Sequence, residues 1–457
     1  MKQNTSTTST GLLPRERRAA WSLSLIYMVR MLGLFIVLPV FSLFGDQYQH
    51  STPFLMGLAI GIYGLLQACL QIPFGMLSDR IGRKHVVTIG LVMLALGSVV
   101  AATSDSIYGV IIGRALQGAG AIAAALMALA ADLTRDEQRT KVMASLGMSI
   151  GFAFILALIL GPLLVGWFSI DGLFWLTAVS AVIGIVLLHT IVPNPDRCQH
   201  SADTGANLQT MRKLFRDGQL LRLDASIFIL HLLITAVFFA VPLALRDAGI
   251  SSDKQWLVYL PGVLLSIAVM IPLIIWGERK AMRAVLLLCV AGMAVTQLVF
   301  AGPLLFSLDS TVAVLFLGIT IFFTFLNTLE ALLPSLVSRL APAAAKGSAM
   351  GIYSSSQFLG AFVGGAGAGW LYGSVGAVGV YSAMGMLCLV WLVILFGFKS
   401  PRKMKTHRRT LSIEEQNRAE GVLAELQAIP GVEEVVIALD EGVAYLKVDN
   451  ARYQGVS

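Results

Sequence analysis

The sequence predicts an all-α polytopic membrane protein, with twelve transmembrane helices in two six-helix bundles and a small α+β domain after them. Three observations predict it. Charged residues make up 13% and hydrophobic residues 56% of the 457 residues, whereas a soluble domain carries about 25% charge. The mean hydropathy of +0.79 agrees. Second, apolar runs of about twenty residues recur, the length that crosses a hydrocarbon core. Barrel strands would be shorter and alternating. Third, basic residues gather on alternate connections between the runs.

The elements follow in order. Residues 1–20 are a polar N-terminal tail, and no small-residue cleavage site follows the first apolar run, so that run is a retained helix. The first bundle, 21–192, holds runs at 21–44, 54–76, 86–103, 107–131, 142–166 and 170–192. A polar central loop, 193–222, divides the chain. The second bundle, 223–398, holds runs at 223–245, 256–277, 284–305, 310–337, 347–371 and 374–398. With the N-terminus on one side, that side's connections hold most of the chain's basic residues, and the other side holds Arg246 and Lys254 beside six aspartates. The positive-inside rule then makes the basic side and both termini cytoplasmic.

Residues 399–411 form a basic linker suited to anionic headgroups, with no obvious strand. Residues 412–457 read as a small, apparently partial cytoplasmic α+β domain. Ser412 and Glu415 have capping-box spacing at the start of a helix to 428, which Pro430 and Gly431 stop. Strands follow at 432–439 and 443–448, with a turn at 440–442, and no second helix or final strand is evident.

The four cysteines include no CxxC pair, so neither a metal site nor a disulfide framework is expected. No Walker A motif is present, so nucleotide does not drive the protein directly. The net charge of +7 lies at the membrane face and does not point to nucleic acid.

Between runs two and three stands Gly75-Met-Leu-Ser-Asp79-Arg80-Ile-Gly82-Arg83-Lys84. Gly75 lets a helix end approach a neighbour and Gly82 permits a tight turn. Asp79 at a helix C-terminus opposes the dipole and needs a partner, which Arg83 or a neighbouring helix N-terminus supplies. On its own such a loop could be no more than a positive-inside helix stop.

This ordered set resembles the signature of the major facilitator superfamily, matching every fixed position. Arg114-Ala-Leu-Gln117-Gly118-Ala-Gly120 resembles the family motif associated with proton coupling. Gly151, Gly161 and Pro162 resemble the antiporter motif of the drug/proton exporter branch, although Leu163 to Val165 replace its usual following glycines. The strings around Arg30, Glu330 to Leu336, and Gly347 to Gln357 are similar to a branch with a C-terminal ferredoxin-like domain. The resemblance implies the major facilitator fold, alternating access, no cofactor and no enzymatic activity. Asp132 would join the charge cluster of the first motif. Asp79, Asp132 and Arg83 would then latch the first bundle onto the N-terminus of span eleven near Gly347 and Ser348.

In this family spans one, four, seven and ten line the central cavity. Arg30, Arg114, His231 and Glu330 fall on those four spans and are the proton-coupling candidates, structural polar links being the alternative. Glu330 is the leading candidate, and His231 is the side-chain type that titrates near neutrality. Tyr63, Gln67, Gln71, Tyr353 and Gln357 are substrate-cavity candidates, or else packing. The glycines at 360, 364, 365, 367 and 369 read as close helix packing or as compliance during rocking.

The expected function is proton-coupled secondary transport in a bacterial inner membrane by a monomer exporting a small, partly apolar compound. Nutrient uptake with protons is one alternative. A non-transporting sensor signalling through the tail is another, and reconstituted flux separates it from the transporters.

Overall fold

A computed structural model describes residues 12–194, 212–306, 311–342, 345–400, 404–412, 415–416, 418–438 and 443–449. Most of the central loop, the tip at 440–442 and everything after 449 lie outside the described residues. The chain divides into two compact units, Met1–Phe398 and Lys399–Ser457.

The first unit is helical. Helix α1 (Pro14–Phe35) begins with proline at its first position, where no intrahelical N–H is needed. It starts before the apolar run at 21, because Glu16 reaches back to the Leu13 N–H at 2.8 Å and closes the first turn. Pro39 sits in the first turn of α2 (Leu38–Phe44), so the run read as one span, 21–44, is broken at Ile36–Val37. Helix α3 (Pro53–Ile81) is capped by Thr52, whose hydroxyl accepts from the Leu55 N–H. It stops at Gly82, whose φ of 98° a side chain would strain. Helix α4 (Arg83–Ala102) starts at once. Span four is also two pieces, α5 (Ile107–Ala119) and α6 (Ala123–Asp132), parted at Gly120. There the backbones of Gly90 and Gly120 lie so close that a Cβ on Gly120 would meet the Gly90 carbonyl at 2.3 Å.

Helix α7 (Asp136–Thr190) runs 55 residues with a non-helical Ser169 inside it. Helix α8 (Gly218–Asp247) begins within the segment expected as loop, capped by Asp217 through the Gln219 and Leu220 N–H groups. Helices α9 (Trp256–Trp276) and α10 (Met282–Phe306) are joined by a π-helical turn at Gly277–Ala281. Helix α11 (Thr311–Leu340) packs along both of them, so the chain reverses at that turn. Helix α12 (Lys346–Phe396) runs 51 residues and bends at Gly376, φ 72°. Among the described residues nine helical stretches are long and apolar enough to cross a membrane, three of them of 50 residues or more.

The two halves interlock along α12. On one face Gly360 and Gly364 lie on the Phe228 and Leu232 carbonyls of α8. On the other, Gly365 and Gly369 lie on Gly57 and Pro53 of α3, and a Cβ on Gly57 would meet the Gly365 carbonyl at 2.2 Å. Four of the five glycines therefore pack, and Gly367 faces open space. Phe154 of α7 completes the contact, meeting Phe238 of α8 and Phe323 of α11 edge-on at 5.9 Å each.

The second unit contains strands β1 (Met404–Thr410), β2 (Val432–Ala438) and β3 (Val443–Asp449), in antiparallel order β1-β3-β2. Helix α13 (Ala419–Gln427) lays Val422 and Leu426 on Val435, Leu446 and Val448. The strand β1 corrects the expectation of a strandless linker. Its basic residues suggested headgroup contact, but its backbone pairs with β3 from Met404↔Asp449 to Thr410↔Val443. Charge on an outer strand does not oppose such pairing. Ser412 and Glu415 do hold each other's backbone N–H groups, at 3.2 and 2.8 Å, but α13 itself starts only at Ala419, behind Arg418, later than the expected start at 412.

Candidate functional site

Three helices of the C-terminal half bring titratable groups together. His231 of α8 places Nε2 3.4 Å from Oε1 of Glu330 on α11 and 2.8 Å from Nε2 of Gln357 on α12. The Glu330 side chain is 35% exposed and that of His231 16%, so the cluster borders open space without lying on the outer surface. One imidazole nitrogen thus faces both a carboxylate and an amide. Neutral His231 accepts from the Gln357 amide. Protonated His231 donates to Glu330 and requires Gln357 to turn its oxygen inward. Tyr353, one turn from Gln357, is buried with no hydrogen-bond partner on its hydroxyl.

Asp224 was missed by the sequence reading. It lies seven residues before His231, hence on the same face of α8 two turns away. Tyr353 sits within electrostatic reach of both Asp224 and Glu330. The signal was available: an acid inside an apolar run at helical spacing from His231.

The N-terminal half holds a separate polar network. Arg30 is 1% exposed and donates from Nη2 to Gln67 Oε1 at 2.7 Å and to the Gly120 carbonyl at 3.2 Å. Gln67 in turn donates to Gln71 Oε1 at 2.6 Å. Arg114 is fully buried. It donates to Gln117 Oε1 at 2.8 Å and the Ala59 carbonyl at 3.3 Å, with its guanidinium 5.1 Å from the centre of the Tyr63 ring. Gln117 reaches Ser98 at 2.7 Å. Tyr63, Gln67 and Gln71 are therefore buried neighbours of the two arginines, while Gln357 joins the histidine cluster. The arginines and the His231–Glu330 pair fall in different halves.

At the basic face, Arg83 is the hub. It pairs with Asp79, donates to Ser78 Oγ at 2.8 Å and reaches Asp132 Oδ2 at 3.3 Å. Lys84 holds the end of α7, donating to the Val192 carbonyl at 2.6 Å and Asn194 Oδ1 at 2.8 Å. Arg80 is exposed, and Gly75 faces Ala124. A Cβ on Gly347 would meet nothing, and Asp79 is held within its own half by Arg83. Glu16, unremarked in the sequence, grips Arg135 at 2.8 Å and ties α1 to the start of α7. Of the antiporter-like residues, Gly161 packs on the Ile36 carbonyl at the α1–α2 break, Pro162 lies within α7, and Gly151 faces open space.

A family profile, the Major Facilitator Superfamily, matches residues 23–334 and, in a second match, 255–429. The inner membrane transport protein YajR of Escherichia coli (strain K12) is 43% identical over 441 residues, 96% of each chain. The multidrug resistance protein MdtH of Sodalis glossinidius (strain morsitans) is 27% identical over 350 residues, 76% of this chain and 84% of that protein. The crystal structure of a D-xylose-proton symporter superposes with a TM-score of 0.69 at 17% identity, covering 84% of this chain and 98% of that one, a likeness of fold alone.

Proposed function

Because the chain belongs to the Major Facilitator Superfamily, we propose that it is a proton-coupled secondary transporter that exports a small, partly apolar compound by alternating access. The three helical stretches of 50 residues or more each cross the membrane twice. A straight helix of that length would span about 75 Å, against about 30 Å of hydrocarbon. That reading gives twelve crossings in two six-helix bundles, with both termini on the cytoplasmic side, where the basic loops meet anionic lipid. An inner-membrane location rests on the likeness to YajR. The monomer carries its own site, and no cofactor enters the scheme.

The observation that carries proton coupling is the His231–Glu330 contact, with Gln357 on the same imidazole nitrogen. A proton arriving there removes the Glu330 charge or creates an imidazolium, and each state favours a different hydrogen-bond arrangement among α8, α11 and α12. A switch of partners among three helices biases the population of two conformations. Outward direction is supported by the antiporter-like residues and by the relative named for multidrug resistance. Screening metabolites and drugs for binding to the purified protein, then measuring flux of the hits in proteoliposomes under an imposed pH gradient, tests the proposal. Flux that ignores the gradient contradicts it.

A further inference from the structure

Among the described residues, Arg30 and Arg114 of the N-terminal half have no counter-charge. Every partner of Arg30 and Arg114 is neutral: two glutamine oxygens, two backbone carbonyls and a tyrosine ring. The sequence explains why. Residues 17–45, 53–78, 83–104, 107–131, 138–170 and 172–194 contain neither Asp nor Glu, so the interior of this half has no carboxylate to offer. Glu16, Asp79 and Asp132 sit at the basic face, and Glu16, Asp79 and Asp132 are engaged by Arg135 and Arg83.

A guanidinium does not lose its proton in a protein, so neither arginine escapes its charge by titrating. Burying such a charge against neutral groups alone is costly, and charges inside membrane spans are normally paired. Each arginine also keeps an unused buried donor, Nη1 on Arg30 and Nη2 on Arg114, and the Tyr63 hydroxyl is likewise without a partner among the described residues. Tyr63 and Gln67 are one helical turn apart on α3, so the three groups share one seam between α1, α3 and α5. Capping the Gly120 carbonyl accounts for one donor of Arg30 and holding Ala59 for one of Arg114. Neither accounts for the charge.

We propose that this seam binds the anionic group of the transported compound, a carboxylate or another compact oxyanion. The inference rests on the transporter reading and narrows its substrate to organic anions. An oxyanion matches what is missing: it supplies negative charge and several acceptor lone pairs for the unused donors. The seam is closed over in this conformation, so a ligand enters as the bundles move.

The test uses the full chain in lipid nanodiscs at fixed ionic strength, with benzoate as probe and benzamide as its neutral isostere. Benzoate raises the unfolding temperature in a saturable way and benzamide does not. R30Q and R114Q each weaken the benzoate response at least about tenfold. R30K and R114K keep the charge and retain part of it, which guards against a variant that does not fold. The binding readout needs no pH gradient, whereas proton coupling is read from flux under an imposed gradient, so failure of one and failure of the other are told apart. Equal responses to benzoate and benzamide, including no response to either, overturn the proposal. So does a benzoate response that survives in both glutamine variants.

Discussion

His231 and Glu330, on helices α8 and α11, approach to 3.4 Å, and the same imidazole nitrogen lies 2.8 Å from the Gln357 amide on α12. An imidazole nitrogen that meets a carboxylate and an amide at once is poised between two bonding patterns, and this makes the proton-coupling reading specific. Glu330→Gln keeps the shape and removes the titratable group. Proton release on binding of a screened ligand, followed with a pH dye, should fall by at least about tenfold while folding is retained. Unchanged release would move the assignment to His231.

At the basic face, Arg83 binds Asp79, and a Cβ on Gly347, at the start of α12, would meet nothing. In the outward-facing state Asp79 is expected to reach the free amides at that helix end, where the dipole favours an anion. Asp79→Asn should then cost that state roughly 1–3 kcal/mol. Spin-label distances between positions 80 and 347, in a protein whose native cysteines are replaced, report the shift toward the inward-facing state. An unchanged distribution would leave Asp79 a folding residue only.

Gly57 and Gly365 are in backbone contact across the two halves. Gly57→Ala would drive a Cβ to 2.2 Å from a carbonyl oxygen, so the interlocked arrangement seen here must give way. Overpacking of this kind costs about 1–3 kcal/mol. Labels flanking this contact should show a second, more distant population. Gly367→Ala, at a position facing open space, should leave the distribution unaltered.

In the second unit, Ser412 and Glu415 hold each other's backbone N–H groups. Ser412→Ala should destabilise this helix start by about 1 kcal/mol. Hydrogen exchange of the Glu415 amide, which Ser412 accepts from, should quicken several-fold in the full chain, with exchange in α8 unaffected.

How much of this was legible beforehand depends on the kind of signal. The apolar runs were plain because hydrocarbon demands length and composition together. Breaks within them were not. Gly120 and the Ile36–Val37 step look like ordinary span residues, and only the packing of Gly90 on Gly120 and the position of Pro39 show why the helices part. The pairing of Glu330 with His231 needed three helices placed side by side, although each residue drew attention as an ionisable group in an apolar run. Asp224 was overlooked because it stands at the start of its run, where a charge seems to need no explanation. Strand β1 was hidden by its basic side chains, since its reason for being a strand is the partner β3, some forty residues away.

The most direct test of the central claim needs no substrate. Spin-label distances between positions 80 and 347 are recorded in nanodiscs as pH is stepped through neutrality, for the wild type and for Glu330→Gln. Proton-coupled alternating access predicts two distance populations that exchange with pH in the wild type and stay fixed in the variant. A distribution that ignores pH in the wild type, or one that responds identically in the variant, would contradict it.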